Sequence, residues 1–313
     1  MIVKILLISF IIIMSIVLIF LIVVGIKAYL AFIQTFKRAK CYSLLDLDLS
    51  KTHYAKHIDV IKKNIEELQN NPCDIVSIVN DKLHLYARYY DLKSKNTVIM
   101  AHGYHATSFN NFHSSSRSFF NHGYNILMID ERSHNDSEGK YTTVGLREQY
   151  DLLAWIKWVE DNTESDNIIL YGVSMGAATV GYVSNKLKGT KVRAVVMDCG
   201  FTSFYDEVFY KRRDSRFIML GLFFFRLYGK LILHIDIKKS TIDSLKDSLV
   251  PVYFIHGLND EMVPYEHTIT NYNAATTDKK VHYVENCGHT TGFLIDYDFL
   301  DKDLFEFIDK YLV

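Results

Sequence analysis

The segment LYGVSMGA at residues 170–177 places Ser174 between Gly172 and Gly176. An apolar run typical of a β-strand precedes this serine, and a run of small residues typical of a helix follows it. A serine hydroxyl becomes an effective nucleophile when a tight strand-to-helix turn presents it to a base and to backbone amide donors. Such a turn is crowded, so the residues two before and two after the serine must be small. The segment therefore predicts a nucleophilic serine, although a serine that caps a helix would fit the same pattern.

Two backbone amides are candidates to bind the negative charge that develops on an attacked carbonyl oxygen. His102 and Gly103 end an earlier apolar run, TVIMAHGY, where a turn would direct the amide of Tyr104 towards the serine. The amide of Met175 lies at the start of the helix that follows Ser174. We therefore expect Tyr104 and Met175 to form an oxyanion hole, although an ordinary turn at a strand end would give the same His-Gly pair.

A general base and an orienting acid are expected after the serine if the chain follows the order serine, aspartate, histidine. Asp260 in YFIHGLNDEMVP and His289 in VENCGHTTG each follow a predicted strand, in this order. Each has an ordinary alternative, since aspartate commonly forms turns and a single histidine commonly packs or lies at the surface. Glu261 is a second candidate acid, which we place below Asp260. The sequence thus predicts Ser174, Asp260 and His289 as catalytic residues.

Composition argues against several other classes of site. The chain has 313 residues and a formal net charge of −1, without a block of basic residues in its body, so a nucleic-acid partner is not expected. Its four cysteines form no C-x-x-C pair, which argues against a zinc ribbon or a disulfide framework. His53 and His57 are one helical turn apart but lack a third ligand. We expect neither a metal nor a cofactor.

Strands and helices alternate through the body of the chain. Short apolar runs that predict strands occupy residues 74–80, 82–91, 97–104, 124–130, 167–174, 192–200, 250–257 and 279–285. Predicted helices occupy residues 112–123, 144–162, 174–187 and 299–313. The helix at 144–162 has an apolar stripe formed by Leu146, Tyr150, Leu153, Ile156 and Trp158. Alternation of this kind predicts an α/β fold with a mostly parallel, doubly wound sheet, whose first two strands form a hairpin that turns at Asn80-Asp81.

The amino-terminal segment differs from the rest of the chain. Residues 5–25 carry no charge, and about 20 apolar residues are needed to cross a bilayer core as a helix. A cleaved signal peptide would have a shorter apolar stretch of about 7–15 residues. We therefore expect residues 1–27 to form a transmembrane anchor.

An amphipathic helix is predicted between the anchor and the body, within a connecting region at residues 28–72. Its apolar positions recur at helical spacing, at Tyr54, Ile58, Ile61, Ile65 and Leu68. Ser50 is a candidate cap at its start, and Pro72 ends the pattern. The catalytic domain is then expected at residues 73–313.

The segment 204–249 interrupts the alternation of strands and helices. It contains the apolar sequence FIMLGLFFFRLYGKLILHI and is rich in aromatic residues: Phe204, Tyr205, Phe209, Tyr210 and Phe223 to Phe225. One interpretation is an ordinary helical pair packed on the sheet. The other is a lid that covers an apolar pocket or rests on a membrane surface. We call residues 204–249 the lid.

The motifs HGY, YGVSMGA, HGLNDEMVP and CGHTTGF resemble those of the α/β-hydrolase superfamily, over residues 74–312. Within it, the chain is similar to a bacterial group of membrane-anchored, esterase-like hydrolases, and also to serine aminopeptidase and prolyl-oligopeptidase-type catalytic domains. The resemblance implies Ser174 as nucleophile, His289 as general base and Asp260 as its partner. It also implies that the amides of Tyr104 and Met175 form the oxyanion hole.

One loop departs from the superfamily's pattern. DERSHNDSEG, at 130–139, is similar to the sequence Asp-x-Arg-Gly-x-Gly-x-Ser-x-Gly, but it has Ser133 and Asn135 where glycine is usual. This departure bears on the geometry of the loop and not on the three catalytic candidates. Cys199 and Cys287 are expected to be buried residues rather than nucleophiles.

These residues predict a serine hydrolase that cleaves carboxylic esters through an acyl-enzyme, with a small-molecule ester that has an apolar or aromatic acyl group as substrate. A serine peptidase acting on short peptides and a thioesterase are alternatives, because amides and thioesters pass through the same kind of intermediate. An inactive, membrane-anchored binding protein is an alternative of another class. Basic residues after the anchor favour a cytoplasmic body. The resemblance favours the outer surface of the cell membrane, which we expect, with lipid contacts through the anchor.

Overall fold

The apolar runs form one eight-stranded sheet in a computed structural model, which describes residues 2–52 and 54–313. The strands are β1 (Asp74–Asn80), β2 (Leu83–Tyr90), β3 (Asn96–Ala101), β4 (Asn125–Ile129), β5 (Asn167–Val173), β6 (Val192–Asp198), β7 (Val252–Gly257) and β8 (Lys279–Val284). Their order across the sheet is β1-β2-β4-β3-β5-β6-β7-β8. Strand β2 is antiparallel to β1 and β4, and all other neighbours are parallel. The predicted mostly parallel sheet is confirmed.

Helices cover both faces of this sheet. The α-helices are α1 (Ile2–Phe36), α2 (Ile58–Asn70), α3 (Ser108–Phe112), α4 (Ser115–Asn121), α5 (Glu148–Asn162), α6 (Met175–Val183), α7 (Phe204–Arg212), α8 (Ile218–Tyr228), α9 (Thr241–Lys246), α10 (Glu266–Ala274), α11 (Gly292–Ile295) and α12 (Tyr297–Ile308). Trp155 of α5 and Ala177 of α6 pack on one face, while Phe119 of α4 and Leu304 of α12 pack on the other. Strands covered on both sides have to be apolar on both sides, which explains the continuous apolar runs.

The hairpin between β1 and β2 turns one residue later than predicted. Asp81 and Lys82 have φ angles of 49° and 63°, so they are the two central residues of the turn. Positive φ at both central positions matches the twist of the flanking strands.

The apolar stripe predicted for α5 is partly wrong. The buried apolar side chains of this helix are Leu152, Trp155, Ile156 and Val159. Tyr150, by contrast, is 51% exposed. The buried face also contains the carboxylates of Glu148 and Asp151, which accept hydrogen bonds from Thr143 and Arg132. A pattern of apolar residues does not detect a helix face that buries satisfied carboxylates.

Helix α1 continues to Phe36, well past the predicted apolar segment, and its last turns pack on the body. Phe32 and Phe36 are fully buried, and burial of each phenylalanine contributes about 1.5–3 kcal/mol. The carbonyl of Phe36 accepts a 2.8 Å hydrogen bond from the amide of Thr142. Among the described residues, α1 is the one helix that is both long enough and apolar enough to cross a membrane. No residue in its most apolar stretch of 18 residues is buried.

Helix α2 begins later than expected. The predicted cap Ser50 lies outside it, and a short 3₁₀ turn at Ala55–His57 precedes its first residue, Ile58. Its apolar face buries Ile61, Ile65 and Leu68. The candidate pair of histidines is not described, because His53 lies outside the described residues.

Within the lid, α7 and α8 form a helical pair, and α8 packs against α1. The ring of Phe225 on α8 lies 5.5 Å from the rings of both Phe32 and Phe36. The hydroxyl of Tyr228 donates a 3.0 Å hydrogen bond to the carbonyl of Gly25. The lid is therefore attached to the amino-terminal helix and does not rest on the sheet alone.

Glu131 is a buried carboxyl group that should make stability depend on pH. Burial, together with the charges of Glu148 and Asp151, raises its pKa well above the ordinary value. In the unfolded chain it titrates near 4.3, so the folded state retains a proton that the unfolded state loses as pH rises above about 4.3. The free energy of unfolding therefore falls as pH rises through this range.

We expect Glu131→Gln to reduce this loss of stability. In thermal unfolding of the full chain, the decrease in Tm between pH 5 and pH 8 should be smaller than in the wild type. Each kcal/mol recovered at pH 8 should raise Tm by about 2–4 °C. Glu306→Gln, at an exposed position, is the matched control and should keep the wild-type pH dependence. Equal pH dependence in all three proteins would contradict the prediction.

Candidate active site

Ser174 lies on the turn between β5 and α6, with φ of 56° and ψ of −111°. This strained conformation presents its hydroxyl at the carboxyl edge of the sheet. A Cβ atom on Gly176 would lie 1.8 Å from the carbonyl oxygen of Ala101, and one on Gly172 would lie 2.1 Å from the carbonyl oxygen of Gly176. Neither position can accept a side chain, which is the physical reason for the two glycines around the serine.

His289 lies between Ser174 and Asp260. Its Nε2 atom is 3.0 Å from Ser174 Oγ, and its Nδ1 atom is 2.6 Å from Asp260 Oδ2. A carboxylate can only accept, so Nδ1 carries a proton and Nε2 can accept the serine proton. The structure thus brings together three side chains that are 115 and 29 positions apart in the sequence.

The carboxylate of Asp260 is held by four donors. Its Oδ1 atom accepts 2.8 Å hydrogen bonds from the amides of Met262 and Val263. Its Oδ2 atom faces Nδ1 of His289 and, at 3.2 Å, Nε2 of His256. Burial alone would raise the pKa of Asp260, but the hydrogen bonds from the two imidazoles outweigh it and hold the pKa well below its ordinary value. Asp260 therefore stays ionised.

His256 is a member of this site that sequence reasoning missed. It is fully buried, and its Nε2 atom is 2.8 Å from the carbonyl oxygen of Val263, so Nε2 carries a proton. Its Nδ1 atom accepts from the hydroxyl of Thr268 at 2.6 Å. The feature of the sequence that could have indicated this role is that His256 lies four residues before Asp260. The competing acid Glu261 is exposed and makes no contact with His289 among the described hydrogen bonds and ion pairs.

The loop after β3 forms the second side of the site. The buried ring of His102 holds this loop, because its Nδ1 atom lies 2.8 Å from the carbonyl of Gly103. The amide of Gly103 donates a 2.7 Å hydrogen bond to Oδ1 of Asn111, another residue that sequence reasoning missed. No hydrogen bond from the amides of Tyr104 or Met175 is present within the described part of the chain. Both amides are therefore free to donate to a substrate oxygen.

The end of α1 is connected to this loop. The hydroxyl of Tyr104 donates a 2.6 Å hydrogen bond to the carbonyl of Thr35, in the last turn of α1. The ring of Tyr104 stacks on His105 with 3.7 Å between ring centroids. The amino-terminal helix therefore contributes to the position of a residue beside Ser174.

The loop after β4 keeps a compact form despite its unusual residues. Ser133 and Asn135 have φ angles of 65° and 44°, which is the conformation that favours glycine. Ser133 contacts Gly139, at which a Cβ atom would lie 2.4 Å from the serine hydroxyl. Nε2 of His134 accepts a 3.0 Å hydrogen bond from the amide of His105. The loop thus supports the back of the site without glycine at positions 133 and 135.

The two buried cysteines lie near the site. Burial raises the pKa of Cys199 well above its ordinary value and that of Cys287 to about 11, so both remain thiols. Ligand atoms of Cys199, Asp260 and His289 lie within 4.8 Å of one another, a spacing that suits a metal ion. The imidazole and the carboxylate are instead hydrogen-bonded to each other, and the absence of a metal stays a prediction.

A cavity of about 530 Å³ opens beside Ser174 and His289. Residues outside the predicted catalytic domain line part of it, namely Thr35, Tyr42, Leu44, Leu47 and Tyr54. Phe204 of the lid also lines it. Phe209 and Phe223, two of the aromatic residues of the lid, are 39% and 60% exposed and do not line it. Aromatic content predicted an apolar lid but not which rings face inward.

Comparisons with known proteins agree with this geometry. A family model described as X-Pro dipeptidyl-peptidase (S15 family) matches residues 86–217. The uncharacterized protein YqkD of Bacillus subtilis (strain 168) is 26% identical over 236 residues, which cover 71% of this chain and 76% of that protein. The lysophosphatidylserine lipase ABHD12 of Danio rerio is 23% identical over 177 residues, which cover 55% of this chain and 44% of the lipase.

The fold is shared with solved structures. The Pyrococcus furiosus esterase Pf2001 has a TM-score of 0.63 and 24% sequence identity, and the match covers 80% of this chain and 96% of that chain. The S15 match includes Ser174 and strands β3 to β6, and it ends before Asp260 and His289. The sheet, the serine turn and these matches identify the chain as a serine hydrolase of the α/β-hydrolase superfamily.

Proposed function

We propose that this protein hydrolyses carboxylic esters through an acyl-enzyme formed on Ser174, with His289 as general base and Asp260 as its orienting acid. The observation that carries the proposal is the hydrogen-bonded series Ser174–His289–Asp260 beside an open cavity. In this series the protonated Nδ1 of His289 faces Asp260, and Nε2 faces the hydroxyl of Ser174, which is the arrangement that nucleophilic catalysis by serine requires.

In the proposed mechanism, Ser174 Oγ attacks the ester carbonyl while His289 Nε2 takes the hydroxyl proton. The carbon–oxygen bond to the leaving alcohol then breaks, and His289 returns the proton to that oxygen. A water molecule next attacks the acyl-enzyme, again with His289 as the base, and releases the carboxylic acid and free Ser174. Asp260 fixes the imidazole tautomer and stabilises the imidazolium that forms in both steps.

The amides of Tyr104 and Met175 are the proposed donors to the tetrahedral oxyanion. Met175 is the first residue of α6, so the partial positive charge at the amino end of this helix adds to its donor strength. Loss of one such donor typically costs about 10²–10³-fold in turnover.

The cavity favours an ester over a peptide. Glu207, an acidic side chain in its lining, is 2.7 Å from Lys211 Nζ, so its charge is already neutralised. An aminopeptidase needs a free anionic or acceptor group to hold the substrate's amine. The lipase and the esterase among the similar proteins also act on esters by name. The peptidase alternative rests on the S15 family match, and the thioesterase alternative rests on the shared chemistry.

We also propose that α1 anchors the protein in the cell membrane, with the body on the outer surface, as in the membrane-anchored hydrolases that it resembles. The uninterrupted apolar composition of α1 supports the anchor. The contact of the Phe20 ring with that of Phe217 and the hydrogen bond from Tyr228 to the carbonyl of Gly25 support a helix that is retained, because cleavage after residue 25 would remove both.

A substrate panel tests the proposal. The detergent-solubilised full chain is expected to hydrolyse short p-nitrophenyl esters faster than aminoacyl p-nitroanilides and acyl thioesters, measured as kcat/KM. Faster cleavage of the anilides or the thioesters would favour the corresponding alternative. Failure to cleave any of the three classes would favour the inactive binding protein.

A further inference from the structure

A second cavity, of about 850 Å³, lies between α1 and the lid helices α7 and α8. We call it the α1–lid groove. Its lining includes Phe20, Val23 and Ala31 on α1 and Phe204, Ile218 and Leu222 on the lid. Thr35, Phe204 and Lys211 line both this groove and the active-site cavity. The groove therefore borders the cavity beside Ser174, with these three residues between the two.

The far end of the groove lies within the apolar segment of α1. Phe20, Val23 and Val24 belong to residues 5–25, and the ring of Phe20 contacts that of Phe217 on the lid at 5.1 Å. From Phe20 to Thr35 the helix rises about 22 Å. One leaflet of the hydrocarbon core is about 15 Å deep, being half of about 30 Å. The groove is thus long enough to reach from the interior of one leaflet to the active site.

The lid surface is also suited to a bilayer. Phe217 and Met219 are 50% and 58% exposed and lie at the start of α8, the lid helix that packs against α1. Leu231, which follows the end of α8, is 65% exposed. Large apolar side chains grouped at the end of a membrane-spanning helix can insert among lipid chains. The mouth of the groove would then open to lipid and not to water.

Basic side chains mark the level of the membrane surface along the groove. Lys27 and Arg212 contribute to its lining, as does Lys211, which is paired with Glu207, and no acidic residue lines the groove among the described residues. Lysine and arginine with long aliphatic stems place their charges at the phosphate level while their stems stay in apolar surroundings. These positive charges would lie at the level of the anionic phosphates of a bilayer. The apolar lining of the groove would lie on one side of this level, and the active site on the other.

We infer that the α1–lid groove binds the acyl chain of a long-chain membrane lipid ester and guides its carbonyl to Ser174. The inference rests on the proposed function and adds the substrate class and the route of entry. The acyl chain lies between α1 and α8, and the carbonyl reaches the cavity at Phe204 and Thr35. The membrane helix is then part of the substrate site as well as an anchor.

Gly221 offers a direct test, because it lines the groove on α8 and a Cβ atom there would meet nothing within 4 Å. The indole of Gly221→Trp would occupy the open space that the acyl chain needs. Ala31→Trp would obstruct the groove from the opposite helix, should the first variant fold poorly. Phe223→Trp places the same indole on α8 at an exposed position outside the groove, and it is the matched control.

The measurement is the ratio of kcat/KM for p-nitrophenyl palmitate to that for p-nitrophenyl butyrate, with the full chain reconstituted in phosphatidylcholine vesicles. We expect Gly221→Trp and Ala31→Trp to lower this ratio at least tenfold, and Phe223→Trp to keep the wild-type ratio. An unchanged ratio in the two groove variants would overturn the groove inference alone. A wild-type protein that cleaves neither ester would overturn the proposed function, and the inference with it.

Discussion

Ser174→Ala is expected to lower the turnover of short p-nitrophenyl esters by about 10³–10⁶-fold, because no acyl-enzyme can form without the hydroxyl. Any remaining rate would come from the oxyanion amides and from substrate binding. The variant should fold normally, since alanine is smaller than serine and the turn depends on Gly172 and Gly176. The measurement is kcat/KM, together with covalent labelling by a fluorophosphonate probe.

The matched control is Ser50→Ala, at an exposed serine that does not line the cavity. It should keep wild-type turnover and labelling, whereas Ser174→Ala should lose both. Turnover or labelling that persists in Ser174→Ala would assign the nucleophile to another residue. Labelling is informative because the probe reacts only with an activated serine.

Asp260→Asn is expected to lower kcat by about 10⁴-fold while the protein keeps its fold. The side-chain oxygen of asparagine can still accept from the amides of Met262 and Val263, which hold the loop. The amide nitrogen would then face the imidazoles of His256 and His289, and both of these donate to the aspartate. His289 would have to take the other tautomer, in which Nε2 is protonated and cannot accept the serine proton.

Glu261→Gln is the control for this prediction, since it removes the competing acid one residue away. We expect its kcat to stay within about twofold of the wild type, because Glu261 is exposed and is not hydrogen-bonded to His289. The two variants together distinguish the two acids. A large loss in Glu261→Gln with little loss in Asp260→Asn would reverse the assignment.

The sequence by itself determined most of the sheet and supplied the three residues on which the proposed chemistry rests. Ser174, Asp260 and His289 each follow an apolar run, and in a parallel sheet the carboxyl ends of such runs meet at one edge. This information is local, because a strand, a turn and the residue after it are all read within about ten positions. Gly172 could be interpreted for the same reason, because the carbonyl that excludes a side chain there belongs to Gly176 in the same turn. At Gly176 the excluding carbonyl belongs to Ala101 on β3, which is distant in the sequence.

Only the tertiary structure decided what surrounds the site. The hydrogen bond from Tyr104 to Thr35 joins residues 69 positions apart, and the stacking of the lid on Phe32 and Phe36 joins segments about 190 positions apart. The contact of the second imidazole, that of His256, with Asp260 also depends on how the two side chains are oriented after the chain has folded. Such contacts depend on packing between distant segments, and no local pattern of residue types specifies which of them form. From the sequence alone, the amino-terminal helix is predicted only as an anchor. In the folded chain, its last turn also lines the cavity beside Ser174, through Thr35.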